Sequence, residues 1–317
     1  NALVNHFTFS ADNYLNRGAN KTVGQGWNQK LGIQGIPADD GSFPAISFSG
    51  GTGAPIGFGR SYDENWLEHR FGFNENLTWI RGKHTMKFGF SIQLNNEDRR
   101  FGGQSGSFTF SNSSTATTAD SNAGSAFASF LLGAVNQASA YVGLATQLRF
   151  RQYALFAQDE WRATRNLTIS YGLRWDYSPP MYEVNDYMTS FQPDIPNPGA
   201  GGLPGALAYA GKGAGKIGGQ FQDSWHKGFG PRLGIAYQLN PKTIIRASSG
   251  VVFSNSGNVQ PFLTTGALGY SGTPTFSSAD GYSPVFYWNQ EPFPQSFKKP
   301  PLIDPTFLNG QAISYIP

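Results

Sequence analysis

Apolar and polar side chains alternate with period two along several long runs of this chain, and such alternation predicts β-strands with one apolar and one polar face. The cleanest case lies between residues 70 and 95. Phe71, Phe73, Leu77 and Trp79 share one face, with Arg70, Gly72, Asn74, Asn76 and Thr78 on the other. After the break "IRGK", Met86, Phe88, Phe90, Ile92 and Leu94 lie opposite Thr85, Lys87, Gly89, Ser91, Gln93 and Asn95.

Two more hairpins follow the same plan. Leu167, Ile169, Tyr171, Leu173, Trp175 and Tyr177 oppose Thr168, Ser170, Gly172, Arg174 and Asp176. The run before them is less tidy. Tyr153, Leu155 and Trp161 share a parity with Asp159, and Phe156 falls on the other face, which predicts a bulge or a wet strand end. In the third hairpin Leu233, Ile235, Tyr237 and Leu239 oppose Arg232, Gly234, Ala236 and Gln238, then Ile245, Ala247, Val251 and Phe253 oppose Arg246, Ser248 and Gly250. A weaker run at 4–14 adds one strand, for about seven in all.

The predicted turns, near 80–84, 162–166 and 240–242, are short. The intervening stretches near 17–61, 101–146, 178–228 and 255–317 are long, rich in Gly, Ser, Asn and Pro, and predict connections without regular elements. Compact soluble domains rarely hold loops of that length, whereas outer-membrane barrels pair short periplasmic turns with long extracellular loops. Strand length agrees. The runs reach ten residues or more, against about five or six in soluble sheets and about 9 to 11 for a tilted strand crossing a bilayer.

Aromatic placement sharpens the picture into two interfacial girdles. Trp79 and Trp161 precede short turns, while Trp66, Trp175, Tyr177 and Phe253 sit at the far ends. Trp66 is out of phase with Trp79, which a bulge would explain. On this reading the row Arg174, Asp176, Arg232 and Arg246 faces a wet lumen, either lining a ligand path or pairing with the contents of the barrel.

Composition changes the picture only by exclusion. Charged residues are 14% and aromatics 15% of the 317 residues, yet mean hydropathy is −0.35. No apolar run is long enough for a membrane helix, "AFASFLLGAV" at 126–135 being too short. The absence of cysteine removes disulfides and thiolate metal sites. A net charge of +3 with no basic run longer than two residues argues against nucleic acid as a partner. The start "NALVNHF" and end "QAISYIP" suggest an internal piece of a longer polypeptide, with any signal peptide upstream. Seven strands leave two unpaired edges that hydrocarbon would not tolerate, so further strands are expected.

The segments "GKHTMKFGFSI" at 82–92, "YALFAQDEWRATRNLTISYGLRWDY" at 153–177 and "FGPRLGIAYQLNPKTIIRASSGVVF" at 229–253 resemble barrel segments of TonB-dependent receptors. The resemblance is closest to the Oar-like group, which carries a carboxypeptidase-regulatory-like domain, and "FASFLLG" at 127–133 resembles a loop segment of that group. It implies that residues 1–317 form part of an all-β, antiparallel transmembrane barrel of about 22 strands filled by a plug. It also implies an outer-membrane location, contact with TonB through parts outside this sequence, and energised uptake of a large or scarce nutrient such as a carbohydrate, peptide or metal chelate.

Other chemistry finds little support. "GKGAGKIGG" at 211–219 resembles a phosphate loop, but Ala210 and Ile217 occupy positions the motif needs for Gly and Ser/Thr. "DSNAG" at 120–124 has the look of a calcium loop without its further carboxylates. No G-x-S-x-G or H-E-x-x-H occurs, and His6, His69, His84 and His226 are scattered. The expectation is no enzyme, no cofactor and no metal. Tyr209, Trp225, Tyr270, Tyr282, Tyr287 and Trp288 in the loops suit sugar or peptide binding, and equally suit packing of loop on loop. A passive porin-like channel and a surface adhesin or secreted all-β binding protein remain the alternatives.

Overall fold

Alternation sustained over ten or more residues gives long strands, and in the computed structural model seven of them form one antiparallel meander. All residues are described except 52–53, 60–62, 102–104, 118–119, 121–122, 222, 254–267, 296–298 and 305–317. The strands are β1 (Ala2–Ala19), β2 (Asp63–Arg81), β3 (His84–Phe101), β4 (Thr146–Arg162), β5 (Leu167–Tyr177), β6 (Phe229–Asn240) and β7 (Thr243–Gly250). Each pairs with its neighbours in chain order, and among the described residues β1 and β7 each keep one edge unpaired. The turns Gly82–Lys83 and Pro241–Lys242 are each two residues long, and Gly82 takes a positive φ of 60°.

Register shows which side chains share a face. Phe73 faces Phe9 and Ile92, Ile92 faces Tyr153, and Tyr153 faces Tyr177. One face of the sheet is therefore an apolar belt across all seven strands, and the other carries Arg, Asn, Gln, Ser and Gly. On β3 the apolar row Met86 to Leu94 spans eight residue steps. At about 3.3 Å per step and a tilt near 40° it rises about 20 Å, most of the roughly 25 Å apolar band of an outer-membrane barrel. Beyond Phe71 and Leu94 the same face turns polar, through His69, Asn96, Arg151 and Arg149.

A bulge is one explanation for Trp66 and one of two alternatives, beside a wet strand end, for the run before residue 162, and neither bulge is there. The ladder between β2 and β3 runs unbroken from Glu64 to Arg81, so Trp66 stays on the polar face, opposite to Trp79. The pairing of β4 with β3 and β5 is equally continuous. Asp159 thus points to the apolar face near the short-turn end, where it accepts from Tyr171 Oη at 2.9 Å and contacts His84 Nδ1 at 2.6 Å. Phe156 falls on the polar face by parity, and its cross-strand partner Gly89 leaves room for it, since a Cβ there would come within 2.7 Å of the Phe156 ring. Another carboxylate sits on the apolar face. Glu75 accepts from Asn5 Nδ2 and lies directly opposite Phe90.

The long connections depart most from expectation, since they are not structureless. All four leave the sheet at the end opposite the short turns, and they pack on one another. A parallel pair, Ala45–Ser49 with Ser107–Ser111, joins Gln137–Ser139 and Thr275–Ser277 in a small four-stranded sheet. Helix α1 (Ala126–Leu132) covers it, starting at Ser125, whose hydroxyl accepts from Ala128 N–H, and ending at Gly133 with φ 74°. This is the "FASFLLG" segment. Around these elements Ile33, Ile46, Phe108, Phe110, Val135, Phe286, Trp288 and Phe293 form a buried aromatic core. Phe293 N–H donates to Gln34 O at 2.7 Å, which ties the connection after β7 to the one after β1.

A second loop cluster holds Leu207, Tyr209 and Tyr270, with Tyr187 against them. Burial pushes the Tyr270 phenol up from 10.0 to about 12, its hydroxyl donating to Asp186 O at 3.1 Å. The folded state favours the neutral phenol, so its contribution is complete below pH 10 and declines as pH rises toward 12. Tyr270→Phe removes that term. Alkaline titration followed by tyrosinate absorbance should show the loops of the variant opening over a higher pH range than those of the parent. Opening at the same pH in both would remove Tyr270 from the explanation.

Candidate functional site

The polar face carries its densest chemistry near the loop end, across β1, β2 and β3. Parity places Trp66, Glu68 and Arg70 side by side on β2, and register places Glu97 directly opposite Glu68, with Arg99 opposite Trp66. Two carboxylates in direct opposition repel, and both are almost fully buried, Glu68 at 3% and Glu97 at 7%. Each is held by an arginine. Arg70 donates to both Glu68 oxygens, Nε at 2.8 Å and a terminal nitrogen at 2.6 Å, in a bidentate pair. Asn95 Nδ2 adds a third bond to Glu68 at 2.6 Å, and Arg99 pairs with Glu97.

Arg99 also lies 3.9 Å from the centroid of the Trp66 ring, and the Tyr14 ring meets Trp66 edge-on at 5.6 Å. The network borders a cavity of about 610 Å³, which reaches Asp12, Asn74, Gln93 and Gln152. Two of its buried polar atoms have no partner among the described residues, Trp66 Nε1 and Asn95 Oδ1. A buried group left unbonded costs about 1–3 kcal/mol, so these two atoms are the unmet hydrogen-bonding capacity of the wall.

The predicted lumen row behaves unevenly. Arg174 donates from Nε to Asp176 Oδ1 at 2.7 Å, two residues along the same face. Arg232 and Arg246 share that face, are exposed, and form no ion pair with described residues. The structure does not gather the four into one site.

Of the predicted interface aromatics, Trp79 and Trp161 stand on the apolar face near the short turns, Trp79 under the Arg81 guanidinium at 5.6 Å and Trp161 stacked on His84 at 5.9 Å. Trp175 and Tyr177 stand at the other end of that face, 5.7 Å apart, with Tyr153 and His226 stacked on Tyr177. Trp66 is the correction. It belongs to the polar wall, and the error came from bending the strand to keep a tryptophan in a girdle. The unbent parity, two residues from Glu68 and four from Arg70, was the signal that would have found this site.

The loop aromatics divide as packing demands. Tyr209, Tyr270 and Trp288 are buried in the loop cores, while Trp225 is 52% and Tyr287 36% exposed. The stretch 211–219 is a loop in which Gly211, Gly213, Gly215 and Gly218 take positive φ, with no helix after it to cradle a phosphate. The "DSNAG" segment lies partly outside the described residues. Among those described, no group of three or more His, Asp or Glu is placed to hold a metal ion.

A family model described as an outer membrane beta barrel domain matches residues 1–317. Searches of curated proteins and of solved structures find no match.

Proposed function

The chain belongs to the outer membrane beta barrel domain family and resides in the outer membrane of Gram-negative bacteria, and from that premise we propose that it is wall and loops of a TonB-dependent receptor of the Oar-like kind. An outer-membrane barrel serves transport or channel functions generally. The finer reading is that uptake here is energised, with a ligand taken first by the loops and then passed along the polar wall.

The observation that carries this reading is the polar wall at Glu68, Arg70, Glu97 and Arg99 and the cavity it borders. A passive channel needs a wet lining only. A wall whose two buried carboxylates are each held by an arginine, one of them in a bidentate pair, beside a cavity suits a barrel whose interior is occupied, by a plug at rest and by a ligand in transit. The packed loops supply a second support, because loops that share a core can close over a bound ligand as a unit. The proposal includes no catalysis. Its partners are outer-membrane lipid, an extracellular ligand and TonB, the last through parts of the polypeptide beyond these residues.

The full-length protein in planar bilayers separates the readings. An energised receptor should show no steady ion conductance and should retain the periplasmic domain of TonB on an affinity column. Steady conductance without TonB retention would assign a passive channel instead.

A further inference from the structure

The apolar face of the sheet ends in aromatic rings at the loop end, and what stands just beyond them is a guanidinium without a carboxylate. Tyr153, Tyr177 and Trp175 form the girdle there. Arg151 is the next residue of β4 on the same face, opposite Leu94 of β3. Its terminal nitrogens donate to Asn95 O at 3.0 Å, Phe150 O at 2.8 Å and Asn96 Oδ1 at 2.9 Å. All three acceptors are neutral. Arg149, one rung further, is neutralised by Asp98 at 2.9 Å, and Arg100 by Asp63. Arg151 forms no ion pair among the described residues, and it is half-buried.

A guanidinium held in place by three neutral acceptors has lost its side-chain freedom and kept its charge. The side chain stands on the outward face, at the level where the hydrocarbon of the outer leaflet gives way to headgroups. The chemistry that meets it there is anionic. We propose that Arg151 anchors the phosphoryl headgroup of an outer-leaflet lipid, with the girdle of Tyr153 and Tyr177 against the lipid's acyl chains. Phosphate oxygens accept charge-assisted hydrogen bonds from the donors that Arg151 does not spend on the protein. The proposal concerns the outward face alone and does not depend on what the barrel transports.

The test uses the full-length protein in detergent, titrated with bisphosphorylated lipid A and read by native mass spectrometry. R151Q should weaken retention about tenfold, the worth of one charge-assisted hydrogen bond, while R151K retains most of it. R165Q, in the short turn at the other end, serves as the control and should bind as the parent does. Heat-modifiable migration on a gel checks that each variant is folded. Equal retention by R151Q and the parent would overturn the proposal, as would equally tight binding of lipid A stripped of its phosphates. If millimolar inorganic phosphate displaces the lipid, the site takes free phosphate and the lipid assignment fails.

Discussion

Phe110→Ala should open the loops while leaving the seven-stranded sheet in place. Phe110 is fully buried and packs edge-on against Trp288 at 5.0 Å and Phe130 at 5.3 Å. These rings come from three parts of the loop layer, namely the strand before α1, α1 itself and the connection after β7. Removing the ring costs lost transfer energy and leaves a cavity, together about 3–5 kcal/mol. Loop layers have little core to spare, so a loss of this size should unfold the layer locally and not globally. Limited proteolysis of the full-length protein in detergent should then cut within 20–62 and 105–145, with heat-modifiable migration retained. Phe127→Ala removes a ring that is 45% exposed and should leave those loops resistant. Equal sensitivity in the two variants would mean that the loops share no core.

That expectation could not have been drawn from the sequence, and the reason is physical. Period-two alternation reports a sheet with two different solvents on its two faces, and each long strand carries enough repeats to declare itself. The strands, their order and the short turns were therefore legible. The loop layer has no such signature. Its strands are two to eight residues long, most of them pair across long sequence separations, and its apolar residues, such as Ile46, Phe108 and Phe293, are spread thinly among Gly, Ser and Pro. Burial there is created by association of the loops and not by any local pattern.

The candidate site was half legible for a related reason. Parity alone placed Arg70, Asn74, Gln93 and Asn95 on the polar face correctly. Recognising Glu68 opposite Glu97 needed the register between β2 and β3, which the turn Gly82–Lys83 sets. The aromatic rule was the misleading guide. A girdle tryptophan and a lumen tryptophan look the same in sequence, and Trp66 is told from Trp79 only by counting residues without a bulge.

The sidedness of the whole sheet is tested by placing one charge on each face. Leu155→Arg puts a guanidinium on the apolar face, where Leu155 is 54% exposed to what the family places as lipid, and its direct cross-strand neighbours Phe90 and Trp175 are uncharged, with Phe90 standing between it and Glu75. An arginine within the apolar band costs about 2–4 kcal/mol, less the nearer its head can reach the interface. Ser170→Arg puts the same group on the polar face of β5, exposed beside Gly234 and opposite Glu160. It should cost roughly 0–1 kcal/mol, because the lumen is wet and Glu160 is within reach. Urea unfolding of the full-length protein in lipid bilayers reads the difference directly, as a fall in stability for L155R that S170R does not share. If S170R were the costly change and L155R the neutral one, the apolar belt would be facing the interior, and the polar wall at Glu68 and Arg70 could not line a lumen.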